Sequence, residues 1–169
     1  MYLVKVICYA LVFFVSSYLG ILFSKKYVAR VEELVELKNA LNVLKTKIRF
    51  TYQPIPEIFA EIANTSKKEV ANLFENAKNK MKQETAGSAW KKSIEESNLS
   101  FTKEDKDVLN DLGKLLGQTD VEGQIGQIEL VTTFLDQQIE KAELERKKNE
   151  KLYRTLGLIT GLGIVIVLM

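Results

Sequence analysis

Residues 3–23, LVKVICYALVFFVSSYLGILF, carry one charge, Lys5. As a helix the run rises about 30 Å, one hydrocarbon thickness. Lys5 lies near the outer end, where its ammonium can snorkel. The run is too long for the apolar core of a usual signal peptide, and a charged helical pattern begins directly after Phe23. Residues 1–24 therefore read as a retained membrane helix. A second apolar run, LGLITGLGIVIVLM at 156–169, ends the sequence. It reaches only about 21 Å as a helix. Leu152 and Tyr153 add depth while Arg154 snorkels, and a bilayer can thin locally. A soluble core helix would show a polar face, and this run shows only Thr160. Residues 155–169 read as a short second span.

Basic residues set the expected sidedness. Lys25, Lys26 and Arg30 follow the first run, and Arg146, Lys147, Lys148, Lys151 and Arg154 precede the second. Both clusters place the intervening chain in the cytoplasm and both termini across the membrane. Near an anionic leaflet each such cation contributes about 1 kcal/mol. Lys25, Lys26, Arg146, Lys147, Lys148, Lys151 and Arg154 are thus the expected headgroup contacts. A short basic cluster beside a lipid segment is a poor duplex footprint, so no nucleic acid is expected.

Between the spans the pattern is helical throughout. Only two prolines are present, and both lie at 54–56. Val28, Val31, Leu34, Val35, Leu41, Leu44 and Ile48 form a stripe that Leu37, Ala40 and Val43 widen. That helix should stop before Pro54. Ile55, Ile58, Phe59 and Ile62 mark a second helix, with Pro56 in its first turn. Ser66-Lys-Lys-Glu69 reads as a capping box opening a third, with Val70, Leu73, Phe74, Ala77 and Met81 inward. Thr85-Ala-Gly-Ser breaks the pattern. Ala89, Trp90 and Ile94 lie on a fourth helix. Thr102 opens a fifth, with Val108, Leu109, Leu112, Leu115 and Leu116 inward, and Gly117 is placed to end it in the left-handed conformation. Thr119-Asp-Val-Glu122 reads as a capping box for the last helix. Its seam of Val121, Ile125, Ile128, Thr132, Leu135, Ile139 and Ala142 alternates steps of four and three. The expectation is all-α: a six-helix cytoplasmic bundle over residues 25–142, a charged helical stem over 143–154, and a transmembrane helix at each end.

Residue types narrow the chemistry. Histidine is absent, which excludes histidine triads, acid–base pairs and metal sites. A single cysteine, Cys8, excludes an internal disulfide. The glycines at 113, 117, 123 and 126 lack the lysine–hydroxyl pair of a phosphate loop, so helix ends and close packing are their expected roles. Glu95–Glu96 and Asp105–Asp107 sit beside lysines on amphipathic stretches and read as solvated surface. Trp90 reads as core through its spacing to Ile94, with an interface anchor as the other use. No catalytic, cofactor or metal residue is expected, and no cofactor.

Two small-residue pairs stand four apart, Ser16 with Gly20 and Gly157 with Gly161. Such pairs allow close backbone approach of membrane helices. Counted from the basic clusters they lie at comparable depth in an antiparallel hairpin. They are expected to pack on each other or on another membrane subunit.

The order of these features resembles the stage III sporulation protein AB family of endospore-forming bacteria. VELKNALNVLKTKIRFTYQPIPEIFAEIA, the Trp90 helix, LGKLLGQTDVEGQ and KKNEKLYRTLGLITGLGIVIVLM carry the resemblance over essentially the whole chain. It implies a helical domain similar to the platform proteins of type II secretion and type IV pilus machines. It further implies a non-catalytic place in the channel complex between mother cell and forespore, in the outer forespore membrane on the mother-cell side. The implied partners are membrane lipid, other channel subunits and the cytoplasmic ATPase of the same operon. Asp120 falls in the LGQTD motif, which suggests a partner contact besides its charge at a helix start. Self-association is left open. The rival reading is a membrane-tethered stalk or adaptor of another secretion or pilus-like machine.

Overall fold

The computed structural model describes residues 2–168, with side chains for 10–153 and 155–166. Among these residues there are six helices and no strand: α1 (Tyr2–Phe50), α2 (Ile55–Thr65), α3 (Lys68–Lys80), α4 (Ala86–Glu95), α5 (Lys103–Leu112) and α6 (Val121–Leu168). The two long apolar runs are the ends of α1 and α6. Packing divides the chain into two compact units. One is Glu32–Glu140; the other joins α1 up to Val31 with α6 from Lys141.

In the Glu32–Glu140 unit, α2 packs on α3, α3 on α4 and α4 on α5. Its centre is aromatic. Phe59, Phe74 and Trp90 are fully buried, with ring centroids 4.9, 5.7 and 5.3 Å apart. The Trp90 indole N–H donates to the Leu109 carbonyl at 2.8 Å, so its one polar atom is satisfied inside the core. Trp90 is therefore a core residue here. Leu34, Leu37, Leu41 and Leu44 of α1 are fully buried, as are Ile128, Val131 and Leu135 of α6. Lys38 pairs with Asp136 at 2.5 Å and Lys45 with Glu129 at 3.5 Å, fixing the register of α1 against α6 within this unit.

Several helix ends differ from the sequence expectation. Ser66 does not cap α3. It closes α2 in extended backbone, giving its N–H to Ile62, and Lys67 is the N-cap residue. The free Lys67 N–H is met by the Glu36 carboxylate of α1 at 3.0 Å, a tertiary acceptor that local spacing cannot reveal. Thr85 opens α4 by accepting from Ser88, so Ala86-Gly87-Ser88 is its first turn rather than a break. The α5 helix stops at Leu112, which leaves Leu115 partly exposed. The turn after it passes through Gly117 at φ +72°, where a β-carbon would be strained. Asp120, not Thr119, caps α6, accepting from Gly123 N–H at 2.9 Å.

Two surface expectations are also corrected. Asp105 is fully buried: it accepts from Thr102 N–H at 2.8 Å while the Thr102 hydroxyl accepts from Asp105 N–H at 3.3 Å. This is a reciprocal capping box, and it explains why a buried carboxylate is tolerated there. Val35 and Val43 are about two-fifths exposed, because the partners of α1 cover only the face centred on Leu37 and Leu41.

Gly87 and Gly113 let two backbones touch. A β-carbon on Gly87 would lie 2.0 Å from the Gly113 carbonyl oxygen. Gly87→Ala is expected to destabilise the unit by at least about 1–3 kcal/mol, since rigid backbone must move. Gly126 in α6 has nothing within 4 Å of the same atom. Gly126→Ala should instead stabilise by about 0.8–1 kcal/mol through helix propensity. Opposite shifts in denaturation midpoint check both.

Glu33 joins α1 to the loop before α5, accepting from Ser100 N–H at 2.6 Å. Its partial burial pushes the carboxyl above the usual glutamate range, against the lowering effect of the Ser100 bonds, and Glu69 and Glu32 add repulsion. The folded pKa lies above the unfolded one, so the charged form costs stability at neutral pH. As pH falls from neutrality to the ordinary glutamate range, the folded state binds the proton first and this cost is relieved. Glu61 has the opposite sign. Lys47 and Gln53 hold its carboxyl low, so its stabilising contribution is lost on acidification through that lowered value. Glu33→Gln keeps an acceptor for Ser100. The stability difference, wild type minus variant, should move in favour of wild type across that pH window in denaturant titrations.

Candidate functional site: an apolar hairpin with a basic and aromatic collar

The second unit is built from one end of each long helix. Their approach is close where side chains are smallest. Gly20 and Gly157 face each other: a β-carbon on Gly20 would meet the Tyr153 carbonyl oxygen at 2.6 Å and the Gly157 α-carbon at 3.1 Å. The Ser16 hydroxyl donates to the Gly157 carbonyl at 2.9 Å. Gly161 packs against Ser16 and Phe13. The four residues Ser16, Gly20, Gly157 and Gly161 are thus brought together in one antiparallel contact. Large apolar side chains point away from it, among them Phe14, Tyr18, Ile159 and Ile166, each at least 60% exposed. A surface of this kind is unfavourable in water and suited to lipid. Among the described residues α1 carries the one window apolar and long enough to cross a membrane, near its N-terminus.

Aromatic rings follow the glycine contact. Tyr153 stacks on Tyr27 at 5.8 Å and lies 6.0 Å from Phe23. Rings of this amphipathic type favour the membrane–water boundary. One turn further, the guanidinium of Arg30 is almost buried and contacts Glu145 at 2.6 Å. Partnering of this kind offsets the cost of burying a cation. Neither the tyrosine stack nor this ion pair was expected from sequence. Their only signal was the shared distance of each residue from its apolar run, which acquires meaning once the helices are antiparallel.

The expected headgroup residues lie close to these rings in sequence. Lys25, Lys26, Lys147, Lys148 and Lys151 are exposed and Arg146 is half-buried. Among the described residues none of these six forms an ion pair, in contrast to Lys38, Lys45, Lys47, Lys78, Lys80 and Lys92 elsewhere in the chain. The side chain of Arg154 lies outside the described residues. Asp120 is on the other unit, exposed, with one oxygen committed to its helix cap.

An all-helical unit joined to an apolar helix pair with a charged and aromatic collar defines a membrane-associated helical protein. No group of three or more potential metal ligands occurs among the described residues. The family model described as Stage III sporulation protein AB matches residues 5–169, and the chain belongs to that family. It is 28% identical over 158 residues to Stage III sporulation protein AB of Bacillus subtilis (strain 168), covering 91% of this chain and 92% of the relative. A solved structure of Stage III sporulation protein AB (SpoIIIAB) superposes with a TM-score of 0.67 at 26% identity, covering 71% of this chain and 98% of that one. The family name connects the chain with sporulation.

Proposed function

We propose that this protein is a non-catalytic membrane platform of the channel between mother cell and forespore. Both apolar helices span the outer forespore membrane from the mother-cell side, and the Glu32–Glu140 unit lies in the cytoplasm. There it docks the ATPase encoded in the same operon and contacts other channel subunits. Family membership supports the sporulation role. The membrane part rests on one observation, the glycine contact of the two apolar helices near Lys25, Lys26, Arg146, Lys147, Lys148 and Lys151, which form no ion pair among the described residues. A short second span is tolerable in this reading because it packs at Gly157 and Gly161 on a longer one, and the bilayer can thin at modest cost.

Affinity capture of the tagged full chain from sporulating cells should recover channel subunits and the ATPase. Recovery of the chain without either removes the platform reading. Reporter fusions at the two termini should give no cytoplasmic signal. A cytoplasmic signal at the C-terminus alone would reduce α6 to an interfacial segment.

A further inference from the structure

Within the Glu32–Glu140 unit a polar groove runs between α3 and the segment that ends α4. Its deeper part is a cavity of about 170 Å³. Buried Leu73 and Leu99 form an apolar floor, and Asn72 and Asn76 of α3 stand one turn apart at its edge. A second hollow of about 390 Å³ continues along α3 past Asn79 and shares Asn76 and Glu96 with the first. Among the described residues the Asn72 and Asn76 side chains make no hydrogen bond, whereas Asn79 donates to Glu75 at 3.3 Å.

An asparagine amide offers a donor and an acceptor on one edge, the complement of a peptide unit. Residues four apart on a helix are about 6 Å apart along its axis. Alternate residues of an extended chain are about 6.6–6.8 Å apart. Two amides at this spacing therefore meet successive peptide units on one side of an extended strand, and the side chain between them falls on the apolar floor. Charge selects the partner. Glu96 is neutralised by Lys80 at 2.9 Å, but Glu69 forms no ion pair among the described residues, and Glu33, which also feels Glu32, lies within its field. That end of the groove is negative.

We propose that this groove binds an extended basic segment of a partner protein. Asn72 and Asn76 hold its backbone, Leu73 and Leu99 receive an apolar side chain, and Glu69 meets a lysine or arginine. The proposal stands whether or not the channel reading holds.

The test uses the full chain in a neutral detergent. The probe is a mixture of fluorescein-labelled nonapeptides with lysine or arginine at odd positions and leucine or valine at even ones, followed by anisotropy. Saturable binding is expected, weakened about tenfold by Asn72→Ala with Asn76→Ala, the loss expected when two modest hydrogen-bonding groups are removed. Peptides methylated on alternate backbone nitrogens should bind no better than that double variant. Glu69→Lys should weaken the basic peptides and strengthen the same series carrying glutamate. These residues are exposed apart from the floor, and unchanged far-ultraviolet circular dichroism confirms that the variants fold. Absence of saturable binding to the wild-type chain overturns the proposal. So does binding that survives both the asparagine substitutions and backbone methylation, which would place the peptide on the micelle or another face.

Discussion

Trp90→Ala is expected to lower the unfolding free energy of the Glu32–Glu140 unit by about 3–5 kcal/mol. The ring is fully buried, lies within 6 Å of both Phe59 and Phe74, and gives its N–H to the Leu109 carbonyl. Alanine removes the packing and also leaves that carbonyl without its partner, so two costs act together. A domain of this size holds only about 5–15 kcal/mol in all. The variant should therefore melt far below the wild type. Trp90→Phe separates the two terms. It retains much of the packing and loses the hydrogen bond, for a cost of about 1–3 kcal/mol. Because the chain has one tryptophan, circular dichroism in denaturant is the proper readout for both variants. A loss under 1 kcal/mol for Trp90→Ala would mean that this core is not as tightly packed as the ring distances require.

The second large effect concerns the hairpin. In Gly157→Leu, the new β-carbon falls 2.9 Å from the Ser16 carbonyl oxygen and 3.1 Å from the Gly20 α-carbon. Both obstacles are backbone, so no rotamer change can relieve the clash and the helices must part. The disulfide pair Ser16→Cys with Gly161→Cys reports on this directly. A β-carbon on Gly161 lies 3.3 Å from that of Ser16, close to the span of a disulfide. With Cys8→Ser in the background, oxidation should cross-link the pair efficiently, and adding Gly157→Leu should reduce the product to a minor fraction. Trp90 fluorescence, which reports on the other unit, should be unchanged. Equal cross-linking with and without Gly157→Leu would sink the close-contact assignment.

What the sequence made legible follows from period and composition. Leu34, Leu41, Leu44 and Ile48, or Ile125, Ile128 and Leu135, announce their burial through spacing alone, because a helix repeats its face every 3.6 residues. The small-residue pairs were also visible, since steric permissiveness is a property of the residue itself. The ends of helices were less so. Ser66 and Thr119 stand at positions from which a local cap can form, yet Glu36 meets the free N–H at α3 and Asp120 takes over at α6. Several acceptors compete for each free N–H, and tertiary distance chooses among them. Asp105 reads as surface in the sequence for a related reason. Its alternation with charged neighbours looks solvated, but its carboxylate is turned inward onto Thr102.

The groove beside Asn72 and Asn76 had no sequence signal. Asparagines at helical spacing are ordinary surface residues until another segment rises next to them and Leu73 and Leu99 close the floor. The tyrosine stack and the Arg30–Glu145 pair join residues more than a hundred positions apart. Their partners are set by the register of two helices, and composition carries no record of register.

By itself, then, the sequence determined an all-helical chain with apolar ends, basic residues beside them and no histidine chemistry, because these are matters of residue type and local period. The tertiary structure decided which glycine meets which glycine, which of the described cations beside the apolar pair form no ion pair, and where a groove opens between α3 and the end of α4. Those outcomes depend on distances between residues remote in sequence, and only packing sets them.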